Sequence, residues 1–183
     1  MIGLFQRKAT GCADLRTGPL RMVAITNAML QAEQALDWPL LSRLLGARLT
    51  SEWPPEHWEP HVLRFILKQN DELPHTFGWH RYVVLTDALG RGRTLVGAVG
   101  AFPKAGGDVE IGYSTLPHFQ RRGYATACAR TLVEWLLQQE DVASVSAQTF
   151  PHLPESIKVM ERCGMSYAGE GDEPGTVRYQ RLR

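Results

Sequence analysis

The chain has 183 residues, enough for one domain whose core needs no covalent staples. Hydrophobic residues make up 44% and charged ones 21%, which excludes wholesale disorder and fibrous repeats. Twenty Lys and Arg stand against 19 Asp and Glu, a net charge of +1 that argues against a dedicated nucleic-acid binder. The longest apolar run, Leu95 to Phe102, is eight residues with two glycines inside it, too short for a membrane span. The start, MIGLFQRKATG, holds no apolar stretch long enough for a secretory signal. Cys12, Cys128 and Cys163 form no close pair, so neither a metal knuckle nor a disulfide framework is suggested. The expectation is a cytoplasmic protein of a reducing compartment.

Residues 1–18 show no period and read as a loose lead-in, with a single domain over 19–183. Leu20 to Ile25 reads as a first strand, after which Thr26 or Asn27 can cap a helix through AMLQAEQAL. A second helical piece, LLSRLLGARL, follows Pro39. Pro54 and Pro55 impose extended geometry. Pro60 either kinks or starts the next helix, where Val62, Phe65, Ile66 and Gln69 repeat at helical spacing over about 60–69. The second half changes character. RYVVLTDA (81–88) and TLVGAVGAF (94–102) flank a GRG turn as a hairpin, and VEIGYSTL (109–116) follows the turn AGGD (105–108). A long helix covers about 123–139, its buried face marked by Ala125, Cys128, Leu132, Trp135 and Leu136. The strand VASVSAQTF (142–150), a helix from Pro154 to Cys163, and two strands around GEGDEPG (169–175) complete the chain. The pattern predicts an α/β protein of the α+β type: helices first, then a mainly antiparallel sheet interrupted by two crossover helices.

The stretch LPHFQRRGYAT (116–126), between a strand and the long helix, carries the chemistry. The first N–H groups of a helix have no partner within it, and the macrodipole adds about half a positive charge there. Gly123 lets an anion approach the backbone, Arg121 and Arg122 add charge, and small Ala125 leaves room on the next turn. Together they form an anion cradle suited to a pyrophosphate. The alternative is a helix that starts at a glycine turn beside two solvated arginines. Neither a P-loop nor a GxGxxG fingerprint is present.

QRRGYA (120–125) resembles the Q/R-x-x-G-x-G/A signature of the GNAT acetyltransferases. TFPHLPESIKVMERCGM (149–165) is similar to the RimJ/RimL pattern T-x-P-x-N-x-x-S-x-x-V-x-E-K-x-G-F. The resemblance covers roughly 81–170. It implies a GNAT fold with a mixed, mostly antiparallel sheet, flanking helices and a V-shaped cofactor opening. Acetyl-CoA would be the co-substrate, with no metal. Its pantetheine arm would pair with the backbone of Tyr113, Ser114 and Thr115. Its pyrophosphate would rest on the N–H groups of Arg121, Arg122, Gly123, Tyr124 and Ala125, with the Thr126 hydroxyl in reach. The partner would be an amine, small molecule or protein N-terminus, attacking the thioester directly; neither nucleic acid nor membrane is implied, and monomer and homodimer stay open. A primary amine is mostly protonated at neutral pH, so a base is needed.

Glu110, on the cofactor strand, is the candidate base; its alternative is a solvated or cross-strand-paired glutamate. Ser156 occupies the pattern's serine and is the candidate donor to the departing thiolate; its alternative is a helix cap. A tyrosine acid four residues later is excluded by Met160. The family asparagine falls on Leu153, which cannot cap a helix starting at Pro154, and this opens the rival of a non-catalytic acyl-CoA binder. A nucleotide-phosphate binder using the same cradle is a third reading. Trp53, Trp58, Trp79 and His80 are candidates to line the acceptor cleft or are large core residues. His57, Glu59 and His61 form HxExH around Pro60, which is not a zinc-protease motif. Cys128 and Cys163 read as buried hydrophobes.

Overall fold

The computed structural model describes residues 12–183 apart from 57 and 91. Eight strands form one sheet: β1 (Leu15–Thr17), β2 (Leu20–Ala24), β3 (Arg81–Thr86), β4 (Arg93–Pro103), β5 (Asp108–Thr115), β6 (Ser144–Thr149), β7 (Ser166–Glu170) and β8 (Val177–Leu182). Their order is β1-β2-β3-β4-β5-β6-β8-β7, and every neighbouring pair is antiparallel except β5–β6. The mixed, mostly antiparallel architecture is the one expected. Five helices flank it: α1 (Asn27–Gln34), α2 (Trp38–Leu45), α3 (Pro60–Glu72), α4 (Tyr124–Leu136) and α5 (Pro154–Arg162).

Sheet alternation sorts the core into two layers. Ile25, Leu30, Leu41, Leu45, Leu63 and Ile66 from the α1–α3 region pack with Tyr82, Val84, Leu95 and Ala98 on one face. Cys128, Leu132, Val133 and Leu136 of α4 and Met160 of α5 pack with Met22, Val83, Val99, Ala101 and Ile111 on the other. Each large apolar side chain so buried contributes about 1.5–3 kcal/mol. No helix among the described residues is long and apolar enough to cross a membrane.

The structure decides two alternatives that the sequence leaves open, at Thr26/Asn27 and at Pro60, and moves other boundaries. Thr26, rather than Asn27, caps α1, accepting from the Met29 N–H at 3.3 Å. The second helix begins at Trp38 under an Asp37 cap with Pro39 inside its first turn, and left-handed Gly46 ends it before Leu49. Pro60 starts α3 rather than kinking it. Residues 15–17 are not a loose lead-in: Leu15–Thr17 pair with Leu20–Met22 as the edge strand. Fully buried Arg81 ties this segment down, donating to the carbonyls of Ala13 at 3.0 Å and Met22 at 3.1 Å. The rest of the expected lead-in, residues 1–11, lies outside the described residues.

Candidate active site

The β5–β6 pair opens partway along its length. Only Asp108, Val109 and Glu110 align with Ser144, Val145 and Ser146. From Ile111 onward β5 stays with β4, whereas Ala147–Thr149 stay with β8, leaving a V between them. Asp108 fastens the closed end. Its Oδ1 accepts from Ser144 Oγ at 2.6 Å and Gln180 Nε2 at 3.1 Å, and its Oδ2 from Ser146 Oγ at 2.7 Å and the Arg178 guanidinium. Burial raises the Asp108 pKa, but those hydrogen bonds and the Arg178 charge outweigh it and hold the carboxyl below its ordinary range. In the sequence Asp108 reads as the end of the turn AGGD, because all four of its partners are remote in sequence.

The α4 N-terminus stands at the open end. None of the backbone N–H groups of Arg121 to Thr126 donates to an acceptor among the described residues. Arg121 (φ 61°) and Gly123 (φ 77°) both take left-handed backbone, so successive N–H groups turn toward one concavity, an anion nest. A Cβ built at Gly123 meets nothing within 4 Å, so the hollow above it is open. The six donors lie at the positive end of a 13-residue helix and can receive an oxyanion or diphosphate. The two arginines part company: Arg122 folds back, donating to the His118 carbonyl at 3.3 Å, while exposed Arg121 has no partner among the described residues. The Thr126 hydroxyl is likewise unpartnered there.

Tyr113, Ser114 and Thr115 lie along the splayed edge, where no strand of the sheet covers them on the β6 side. The Thr115 carbonyl is already taken by Gln120 Nε2 at 3.0 Å. The Ser114 hydroxyl is buried without a partner among the described residues. The Tyr113 side chain does what the sequence did not suggest: it crosses the V, its hydroxyl 3.0 Å from Ser156 Oγ and 3.1 Å from the Ser156 carbonyl. Ser156 therefore does not cap α5. Burial pushes the Tyr113 phenol up to about 12, with the Ser156 bond opposing it. Leu153 is the uncapped N-cap of α5, as expected.

Glu110 stands at the apex on the face of α1–α3. It does not hang free: Gln148 Nε2 donates to both its oxygens at 3.1 and 3.2 Å, and Lys104 Nζ lies 3.2 Å away. Lys104 also donates to Asp172 at 3.0 Å, and that bond, with Glu110 behind it, raises the Lys104 pKa. Gln148 Oε1 in turn accepts from the Asp172 N–H at 2.9 Å and Thr176 Oγ1 at 3.0 Å. Gly112, next on this face, has only the Phe102 ring, 3.8 Å from where its Cβ would stand, so the wall is hollow there.

Of the aromatics near this hollow, His80 is one the sequence singles out, whereas Phe65 and Phe102 are not. Phe102 packs on Phe65, 5.2 Å between ring centres, and on His80 at 4.9 Å. Trp79 and His80 are core residues, 5% and 3% exposed. His80 Nε2 lies 3.0 Å from Gln69 Oε1, and burial lowers its pKa to about 3. Trp53 and Trp58 hydrogen-bond Glu33. Of the HxExH residues, Glu59 and His61 are an exposed pair 3.3 Å apart, and His57 lies outside the described residues. Burial pushes the Cys128 thiol up to about 12 and Cys163 to about 11, so neither is a nucleophile.

Comparison with known proteins gives the family and the fold. The family model described as an acetyltransferase (GNAT) domain matches residues 29–166. The chain is 27% identical over 155 residues to the uncharacterized N-acetyltransferase YjdG of Bacillus subtilis (strain 168), covering 82% of this chain and 88% of that one. The ribosomal L7/L12 alpha-N-protein acetyltransferase RimL, solved with coenzyme A, superposes with a TM-score of 0.58 at 16% identity, over 91% of this chain and 95% of that one. Spermidine N-acetyltransferase from Vibrio cholerae, solved with CoA and spermine, gives 0.57 at 16% identity, over 90% and 95%. The family match spans about three quarters of the chain, and by it this chain belongs to the GNAT family of acetyltransferases.

Proposed function

We propose that the protein transfers an acetyl group from acetyl-CoA to an amine held on the α1–α3 side of the V. The observation that carries this reading is the run of six N–H groups, Arg121–Thr126, without an acceptor among the described residues, at the mouth of the splay. The N–H groups of Arg121, Arg122, Gly123, Tyr124 and Ala125, with the Thr126 hydroxyl, hold the pyrophosphate. The uncovered backbone of Tyr113–Thr115 pairs with the pantetheine amides, apart from the Thr115 carbonyl that Gln120 occupies. Acetyl-CoA supplies the thioester. The amine nitrogen forms the C–N bond as the C–S bond breaks, and Glu110 takes the proton that the nitrogen sheds, directly or through water. Gln148 and Lys104 hold the Glu110 carboxylate toward the hollow at Gly112. Ser156 donates to the departing sulfur. Tyr113, still protonated at neutral pH, replenishes the Ser156 hydrogen bond, and the thiolate finally takes its proton from solvent. The two solved proteins of similar fold are described as acetyltransferases of a protein amine and of a polyamine respectively, and either class of acceptor suits this chemistry.

Thermal shift with acetyl-CoA, CoA and ATP in parallel tests the reading. At about 100 times Kd a ligand stabilises by about 2.7 kcal/mol, about 5–11 °C for a chain of this size. A shift with acetyl-CoA and none with ATP is expected. Gly123→Glu, which places a carboxylate in the nest, should weaken acetyl-CoA binding by at least about 100-fold. Normal binding by the folded variant overturns the assignment. The second reading, an acyl-CoA binder without turnover, draws on uncapped Leu153 and predicts the same shift with no CoA released to any amine.

A further inference from the structure

Glu33, in the last turn of α1, is a buried carboxylate that acetyl transfer does not use; it is 3% exposed. Its Oε1 accepts from the indole N–H groups of Trp53 at 2.6 Å and Trp58 at 3.1 Å, and its Oε2 from the Tyr82 hydroxyl. The three rings pack on one another with centres 5.5–6.2 Å apart. Among the described residues no Lys, Arg or His comes within ion-pair distance of Glu33. Burial pushes its carboxyl up, against the pull of the Tyr82, Trp53 and Trp58 hydrogen bonds. A buried charge met only by neutral donors is costly, and the cost falls when an opposite charge arrives.

Beside Glu33 lies a cavity of about 310 Å³, with walls that include Trp38, Trp58, Pro54, Leu36 and Leu63. The remaining charged group in its lining is Arg64, on the exposed rim, where solvent screens it. An apolar chamber with indole walls and one buried carboxylate matches an organic cation: the aromatic rings attract the charge, the walls cover the alkyl groups, and the carboxylate balances it. A neutral ligand would gain only the walls, and an anion would be repelled. Tyr82, under Glu33, pairs with Ala98, which pairs with Ser114, so the chamber lies two strands away from β5 on the α1–α3 face.

We propose that this chamber is a second ligand site, for a small organic cation held by Glu33 between the indoles of Trp38 and Trp58. The probe is choline, titrated by tryptophan fluorescence and calorimetry against its neutral isostere 3,3-dimethylbutan-1-ol. Choline has no N–H to acetylate, and neither titration contains acetyl-CoA, so the outcome is separate from that of the acetyl-transfer reading. Saturable choline binding is expected, at least about tenfold tighter than the alcohol. Glu33→Gln, which keeps an acceptor for the indoles, should erase that preference while leaving the weak alcohol binding in place. No saturable response to choline in the millimolar range overturns the site, as does equal affinity for the two probes. So does unchanged choline affinity in folded Glu33→Gln; if that variant does not fold, the comparison of probes on the natural protein decides alone.

Discussion

Asp108 and Glu110 stand two residues apart on one face of β5, yet their surroundings set them to different work. Asp108 meets two serines, a glutamine and an arginine from β6 and β8, and is 7% exposed. Every donor it meets belongs to the sheet, so it locks the strands that must not part. Glu110 meets Gln148 and Lys104 and keeps 20% of its side chain exposed, at the point where pairing stops. One carboxylate closes the V and the other faces its opening. The residue type is nearly the same; exposure and the end of the ladder separate the structural lock from the carboxylate we propose as the base.

Substitutions at each end should separate the two roles. Glu110→Gln keeps the Gln148 contact but cannot take a proton, and should lower kcat by about 10²–10⁴-fold with little change in thermal stability. A loss of stability with kcat intact would make Glu110 a second lock. Asp108→Ala should do the reverse, costing about 3 kcal/mol in urea unfolding because Arg178, Ser144 and Ser146 lose their acceptor. Since the folded state holds this carboxyl low, that deficit is full above the ordinary value of 3.8 and closes as the pH falls through the lower folded-state value.

His80, behind Phe102, sets a smaller effect. Its pKa is lowered from 6.5 to about 3, so the unfolded chain binds a proton that the folded one refuses between those values. Stability is unaffected above pH 6.5 and falls below it, by about 2 kcal/mol at pH 5. His80→Leu, compared with the natural protein at pH 7.5 and 5, should remove about that much of the acid sensitivity. Smallest is Tyr113→Phe, which leaves Ser156 without its bridge across the V and should lower kcat about five- to tenfold, about 1 kcal/mol. A change in acetyl-CoA affinity alone would make the bridge a gate for the cofactor rather than support for Ser156.

What the sequence by itself determined was local. Strand alternation in 81–116, the face of α4 and the Pro154 helix start rest on residues within one or two turns of each other, where spacing decides geometry; whether Pro60 kinks or starts a helix was left to the tertiary structure. Leu153 as an empty cap was legible for the same reason. Tertiary structure decided the rest. Asp108 reaches partners 36 to 72 positions away, and Tyr113 meets Ser156 across 43, contacts set by which strands become neighbours rather than by any local pattern. The point where β5 leaves β6 is likewise a matter of register. Trp53 and Trp58 look alike in sequence as cleft or core aromatics; only the fold aims their N–H groups at Glu33, because a buried carboxylate must find its donors wherever the chain brings them.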